Sequence, residues 1–316
     1  TPGDAEAHWR RALALLAAGD YRDAWTEYQW RWRVPEYQFE SRSFAVPEWR
    51  GEALHGRRIL VHADEGPSDT LLFARYLPMV AQRGGRIVLE CDAELIGLLE
   101  ALPAVDLVVA RGDRPPTVDC HVGLESLPGV VGTLETTVPI DIPYLTCRSW
   151  SGRIPTLPAG RGLKVGLAWT AGAPAAAEPG PTLGDLAPLL RQPGIAWFSL
   201  ETGAARTELA LVPEARGVHD LAPLIRGWPD AAGLTSQLDL LITVEGTLAH
   251  LAGGLGIPVW LLQGGGTDWR WSTERGESLW YPTARVIQRP RGCDWAMVVA
   301  EIGRLLASVA GDPGAR

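Results

Sequence analysis

The strongest constraint on this fold is an alternation that occurs twice: short apolar runs of strand length, each followed by a stretch with helical spacing. RRILVHA (57–63) is suited to a buried parallel strand, and SDTLLFARYLPMVAQRG (68–84) follows as a helix. RIVLEC (86–91), a helix over 93–101, VDLVVA (105–110) and VDCHVGL (118–124) continue the series. Runs of this length and order predict an open α/β sheet with crossover connections.

CRSWSGRIPTLPAGRG (147–162) is rich in Gly, Pro and Ser and reads as a linker. A second series begins beyond it. LKVGLAWT (163–170), IAWFSL (195–200), LDLLITV (238–244), IPVWLLQ (257–263) and ARVIQ (284–288) are strands, TLGDLAPLLRQ (182–192) is a helix, and DWAMVVAEIGRLLASVA (294–310) is a closing amphipathic helix. Two such halves imply a cleft lined by the C-terminal ends of the strands. Upstream, residues 4–33 read as two helices around a Gly19-Asp20 turn. Trp9, Ala12, Leu13, Leu16 and Ala17 share one face of the first, and Ala24, Trp25 and Tyr28 share a face of the second. One tetratricopeptide hairpin has this pattern, and an ordinary helical hairpin predicts nearly the same geometry. Either way, a single unit cannot bury both of its faces and should cap the next domain or end a longer array.

Composition narrows the function classes. A net charge of −8 argues against a nucleic-acid surface. No apolar run is long enough to span a membrane, and TPGDAEAHWRR is too polar for a signal peptide, so a cytoplasmic location is expected. The missing initiator Met suggests a piece of something longer. Cys91, Cys120, Cys147 and Cys293 are scattered without a CxxC pair, which favours buried free thiols over a zinc site. Lys164 is the only lysine, so phosphate would have to be held by Arg, hydroxyls or backbone N–H groups. HExxH, GxSxG, GxxxxGK[ST] and a strand-following GxGxxG are all absent, which sets aside a zinc protease, a nucleophile-elbow hydrolase, a Walker-type enzyme and a dinucleotide-dependent epimerase.

Three stretches could carry chemistry. In DEGPSDTLLFARY (64–76), Gly66, Ser68 and Asp69 open a helix, and Arg75 lies within it. Asp69 suits a cap, accepting N–H bonds of the first turn, or a general base taking a proton from an acceptor hydroxyl. In VEGTLAHLAGGLGIPVW (244–260) the glycines permit close approach, either to a phosphate or between helix and sheet. Glu245 could bind sugar hydroxyls there, and His250 is either a ligand or a structural histidine. TDWRWSTERGESLWYPTAR (267–285) concentrates Trp269, Trp271, Trp280 and Tyr281 among Arg270, Arg275 and Arg285. Exposed, those rings suit stacking on a sugar or base; buried, they wedge a loop against the core.

Taken in order, ALLAAGDYRDAWTEYQWRWR, PEWRGEAL, DEGPSDTLLFARY, VGLAWTAG, FSLETG, LDLLITVEGTLAHLAGGLGIPVWLL, DWRW and WYPTARVIQR span almost the whole chain. Together they resemble bacterial tetratricopeptide-repeat proteins with a C-terminal glycosyltransferase domain of the heptosyltransferase-like GT-B type. The resemblance implies a hairpin over 1–45, a Rossmann-like acceptor domain over 46–150 and a Rossmann-like nucleotide-sugar domain over 151–316. It implies metal-independent, inverting transfer, with no cofactor beyond the nucleotide-sugar substrate. The acceptor is then a protein hydroxyl docked through the tetratricopeptide region, flagellin glycosylation from a CMP-linked acidic sugar being one version. Asp69 matches the family's general base. Trp169 and Gly172 match its Trp-Ala-Gly segment, and Glu245, Gly246, Thr247 and His250 match the donor turn. Asp268, Trp269, Arg270 and Trp271 match its Asp-Trp-Arg-Trp motif.

Several positions depart from the family pattern. Ser68 stands before Asp69 in place of Gly, and Glu245-Gly246 replaces Asp-Thr. The Arg-Ser pair after Trp-Ala-Gly is missing, and Glu201-Thr202 replaces Gln-Lys. Two cations fewer near a pyrophosphate fit either a donor with less phosphate charge or an inactive scaffold that binds protein partners.

Overall fold

A computed structural model describes residues 3–34, 44–147, 156–158, 162–170, 180–264, 268–271 and 278–311. The chain forms two compact units, Thr1–Ser149 with Asp268–Arg270, and Trp150–Thr267 with Trp271–Arg316.

The first unit opens with α1 (Ala5–Ala18) and α2 (Tyr21–Tyr28). The Asp4 carboxylate accepts the Ala7 N–H at 3.1 Å and starts α1. Gly19, at φ 81°, ends α1 and donates its N–H back to the carbonyls of Leu15 and Leu16. The second helix is shorter than the expected span to residue 33, because Gln29–Arg33 tightens into a 3-10 turn. Tyr21, Ala24, Trp25 and Tyr28 are buried. The Trp25 indole N–H donates to the Thr133 carbonyl at 3.0 Å, so this face covers the α/β part of the same unit.

The α/β part runs β1 (Arg58–His62), α3 (Pro67–Phe73), α4 (Leu77–Gln82), β2 (Arg86–Cys91), α5 (Ile96–Leu99), β3 (Leu107–Ala110), β4 (Cys120–Gly123) and α6 (Leu127–Val131). The helix expected over 68–84 is divided, with a 3-10 turn at Ala74–Tyr76 and Pro78 entering the first turn of α4. All pairings are parallel in the order β3-β2-β1-β4, with Ile59 opposite Ile87 and Cys120. Burial on both faces explains why these strands read as continuous apolar runs.

The second unit holds β5 (Leu163–Ala168), α7 (Leu183–Leu190), β6 (Ile195–Ser199), α8 (Glu208–Leu211), β7 (His219–Asp220), α9 (Trp228–Thr235), β8 (Leu240–Val244), α10 (Thr247–Gly254), β9 (Val259–Gln263), β10 (Ala284–Gln288) and α11 (Trp295–Gly311). The sheet is parallel throughout, in the order β10-β9-β8-β5-β6-β7. Val165, Leu167, Ile242, Trp260 and Leu262 pack in one core with Leu183, Leu186 and Leu189 of α7 and Trp295, Val298 and Ile302 of α11. Each such fully buried side chain contributes about 1.5–3 kcal/mol. Residues 204–235, unassigned from the sequence, supply α8, β7 and α9.

Gly253 on α10 has a packing reason. A Cβ there would sit 2.4 Å from Cδ1 of the Tyr281 ring, closer than carbon atoms tolerate. Gly246, without a side chain, starts α10 with no side-chain cap.

The fold class is thus the mixed α/β arrangement expected, with two parallel sheets. Most of the 147–162 linker lies outside the described residues, as do Gly172 and Arg275. All four cysteines are unlinked thiols; Cys91 and Cys120 are buried, and Cys147 and Cys293 are half-buried. Among the described residues no helix is long and apolar enough to cross a membrane.

Candidate functional site

Open parallel sheets place ligands beyond the strand C-termini where the strand order reverses. In the first unit that point lies between β1 and β4, and it gathers charge. His62 ends β1 and Asp64 and Glu65 follow it, while Glu125 follows β4. The Glu125 carboxylate accepts the Asp64 N–H at 3.3 Å and the Glu65 N–H at 3.4 Å. An Asp64 carboxylate oxygen lies 2.7 Å from Nδ1 of His62, whose Nε2 is 3.1 Å from Nδ1 of His121.

The N-terminal helices reach into this cluster. Arg31, fully buried, donates to the Tyr28 carbonyl at 3.3 Å and to Oγ of Ser126 at 2.9 Å. Its Nε faces Glu65 at 3.5 Å, and its guanidinium lies over the Trp32 ring. The Tyr28 hydroxyl donates to Glu65 at 2.9 Å.

Asp69 sits in the first turn of α3. No capping bond is made there: Gly66 is the N-cap, and no side chain caps it. The Asp69 carboxylate instead accepts two bonds at Oδ1 from Arg270, 2.8 Å from Nε and 2.6 Å from Nη2. Among the described residues no hydrogen bond reaches Oδ2. Arg270 is held on its other edge by Asp268, 2.9 Å from Nη1, and Glu65 stands 3.9 Å away. Burial acts to lower the Arg270 pKa, but Asp69 and Asp268 outweigh it and raise it well above the usual value.

Burial pushes Glu125 well above the carboxylate range, helped by Asp64 and Glu65. Glu65 is pushed up to about 7, by burial first and Asp69 second, with Arg31 and Arg270 opposing. The folded chain therefore binds a proton that the unfolded chain, at the ordinary 4.5, has released. Stability from this group is complete below that value and is lost as pH rises through about 7. Glu65→Gln should flatten the decline of unfolding free energy between about pH 5 and about pH 8 in urea titrations. An unchanged slope would assign the decline to other groups.

Gly66 is the N-cap of α3 and Ser68 lies in its first turn, close to this cluster in sequence. Arg75 does not join it. Its guanidinium donates to the carbonyls of Leu72 and Pro139 and to the Tyr144 hydroxyl, tying down the 139–144 segment.

In the second unit the order reverses between β5 and β8. Trp169 and Thr170 leave β5 there, and Glu245, Gly246 and Thr247 leave β8 to begin α10. His250 is buried, with Nδ1 2.9 Å from the Tyr281 hydroxyl and its ring 5.0 Å from that of Trp271. Trp271 stacks on Tyr281 at 5.3 Å. Trp269, Trp271, Trp280 and Tyr281 are all buried, so they wedge the core and offer no exposed stacking platform. Trp269 belongs to the first unit, 6.0 Å from Trp25, while Trp271 belongs to the second.

Sequence reasoning did not single out Arg31, His62, Asp64, Glu65 or Glu125. Three acidic residues just past apolar strands were the available signal. Their convergence with Arg31 depends on contacts up to 95 residues apart in the chain.

Two parallel Rossmann-like sheets with charged residues at both reversal points have the fold of heptosyltransferase-like glycosyltransferases of the GT-B type. The Escherichia coli ADP-heptose lipopolysaccharide heptosyltransferase II superposes with TM-score 0.55 at 16% identity, covering 79% of this chain and 99% of that one. The E. coli heptosyltransferase WaaC, bound to ADP-2-deoxy-2-fluoro heptose, gives 0.58 at 14% identity over 79% and 99%. A glycosyl transferase family 9 protein from Veillonella parvula gives 0.51 at 15% identity over 82% and 91%. In sequence, the chain is 26% identical to protein FlbA of Caulobacter vibrioides across 98% of its own length, and spans 57% of that relative. No family model matches the chain.

Proposed function

We propose that the chain is a glycosyltransferase that moves a sugar from a nucleotide-sugar donor to a protein hydroxyl. The observation that carries this reading is the reversal point of the second sheet, where Trp169-Thr170 and Glu245-Gly246-Thr247 meet in a fold shared with heptosyltransferases. In this reading the start of α10, with Gly246 as its N-cap, turns backbone N–H groups toward the leaving phosphate. Asp69 is the general base, taking the acceptor proton while the hydroxyl attacks the anomeric carbon with inversion and without a metal ion. The helices α1 and α2 serve as a tetratricopeptide-type docking element for the acceptor, and flagellin-type glycosylation is one version of this reaction.

A thermal-shift panel of CMP-, UDP-, GDP- and ADP-sugars tests the donor site. Stabilisation by one of them is the expected result. The Arg270 fork on Asp69 favours a second reading, an inactive scaffold that binds protein partners. No shift with any donor would select that alternative.

A further inference from the structure

Two carboxyl groups stand at one guanidinium nitrogen in the first unit. Asp69 has a role in the proposed reaction, whereas Glu65 has none so far. Asp69, Glu65 and Arg270 all belong to that unit. Nη2 of Arg270 lies 2.6 Å from Oδ1 of Asp69 and 3.9 Å from Oε2 of Glu65. Asp268 holds the other edge of the guanidinium, 2.9 Å from Nη1. The Glu65 side chain is 11% exposed and that of Asp69 15%, so both border the buried cluster with solvent in reach.

Charged and titratable groups face Glu65 from each neighbouring element. The Tyr28 hydroxyl of α2 donates to Oε1 at 2.9 Å, and Nε of Arg31, in the following 3-10 turn, stands 3.5 Å from the same oxygen. Asp69 acts on it from α3 and Arg270 from the 268–270 segment, while Glu125, past β4, accepts its backbone N–H. Arg111, past β3, donates to its carbonyl at 2.9 Å and pairs with Asp92. Asp64, next in the chain, pairs with His62. Burial and then the Asp69 charge push the Glu65 carboxyl up to about 7, against Arg31, Arg270 and the Tyr28 hydroxyl.

Resting on the reading of Asp69 as the base, we propose that Glu65 is a positioning residue for it, its carboxylate serving as the partner of Arg270 while Asp69 holds the acceptor proton. In that step the acceptor O–H bond breaks and an O–H bond forms at Oδ2 of Asp69. The acceptor oxygen bonds to the anomeric carbon, and the nucleotide phosphate leaves with its electron pair. Asp69 then carries no charge, which leaves Asp268 as the bonded counter-charge of Arg270. An ionised Glu65 closes from 3.9 Å to hydrogen-bond distance and takes the vacated place. The same step removes one of two like charges, so the charge on Glu65 favours the proton transfer to Asp69. The proton then passes from Asp69 to solvent, and the fork returns to Asp69.

The pH profile of turnover by the whole chain tests this, read as nucleotide release from CMP-, UDP-, GDP- and ADP-sugars with water as the acceptor. The wild-type kcat/KM should rise about tenfold through a limb near pH 7, where Glu65 ionises. Glu65→Gln keeps an acceptor oxygen for the Tyr28 hydroxyl but cannot ionise, so the limb should vanish and the rate stay at its acid-side value. Tyr28→Phe removes a bond that favours the ionised form, so the limb should move to higher pH. It carries the comparison if Glu65→Gln fails to melt cooperatively. A limb near pH 7 that survives in Glu65→Gln, or stands unmoved in Tyr28→Phe, would overturn the proposal and leave the base standing. Full turnover in Asp69→Asn would remove the base reading and this proposal with it, and silence toward every donor would remove glycosyl transfer as well.

Discussion

Replacing Arg31 with Ala should lower the unfolding free energy by about 3–5 kcal/mol in urea denaturation at neutral pH. The guanidinium is fully buried and, with the Tyr28 hydroxyl, joins the N-terminal segment to the acidic end of the first sheet. Without it, the Tyr28 carbonyl and Ser126 hydroxyl lose a donor, and Glu65 loses its counter-charge at 3.5 Å. The loss should shrink at about pH 5, where a protonated Glu65 no longer needs compensation. Arg31→Lys restores charge without the planar fork and should recover only part of the stability. A loss below about 1 kcal/mol would show that neighbouring groups, not Arg31, neutralise the cluster.

Turnover is the second large effect. Asp69→Asn should reduce transferase rate by about 10²- to 10⁴-fold, the usual contribution of a positioned base. Nucleotide affinity should stay put, since the proposed donor turn belongs to the other unit. The carboxylate has one oxygen engaged by Arg270, and the second accepts no bond from any described residue, so under the proposed base role Oδ2 takes the proton. Arg270→Ala frees Oδ1 and serves as the companion variant: a base whose orientation depends on the fork loses rate as well, with the acceptor KM moving in step. Wild-type turnover in Asp69→Asn would discard the base assignment.

Much of the scaffold was legible in the chain. RRILVHA, RIVLEC, LDLLITV and IPVWLLQ are strands because parallel sheets bury both faces and so need unbroken apolar runs. Gly19 ends α1 where the αL position needs a residue without a Cβ. The short helices were harder to read. RGWPDAAGLTS forms α9 although Gly227 and Pro229 punctuate it, because Pro is tolerated in a first helical turn.

The candidate sites divide along the same line. The small residues of AHLAGGLG could be read as close packing or as phosphate approach, and the Tyr281 ring against Gly253 decides for packing at that position. The aromatic loop could be read as a stacking platform or a wedge, and burial decides for the wedge. The Asp69 carboxylate could be read as a cap or a base. It makes no cap, and it meets Arg270, which lies 201 residues away in sequence.

By itself, the sequence determined the two parallel sheets, the helices that cover them and the turns that end their strands. Those features follow from apolar periodicity and from local backbone chemistry, both of which act over a few residues. Only the tertiary structure decided which charges meet. Arg31 with Glu65, Arg270 with Asp69, and Glu201 with the N–H groups after β5 are all pairings between distant segments. The energy of a charge depends on its burial and its partner, and neither is written in the residues beside it.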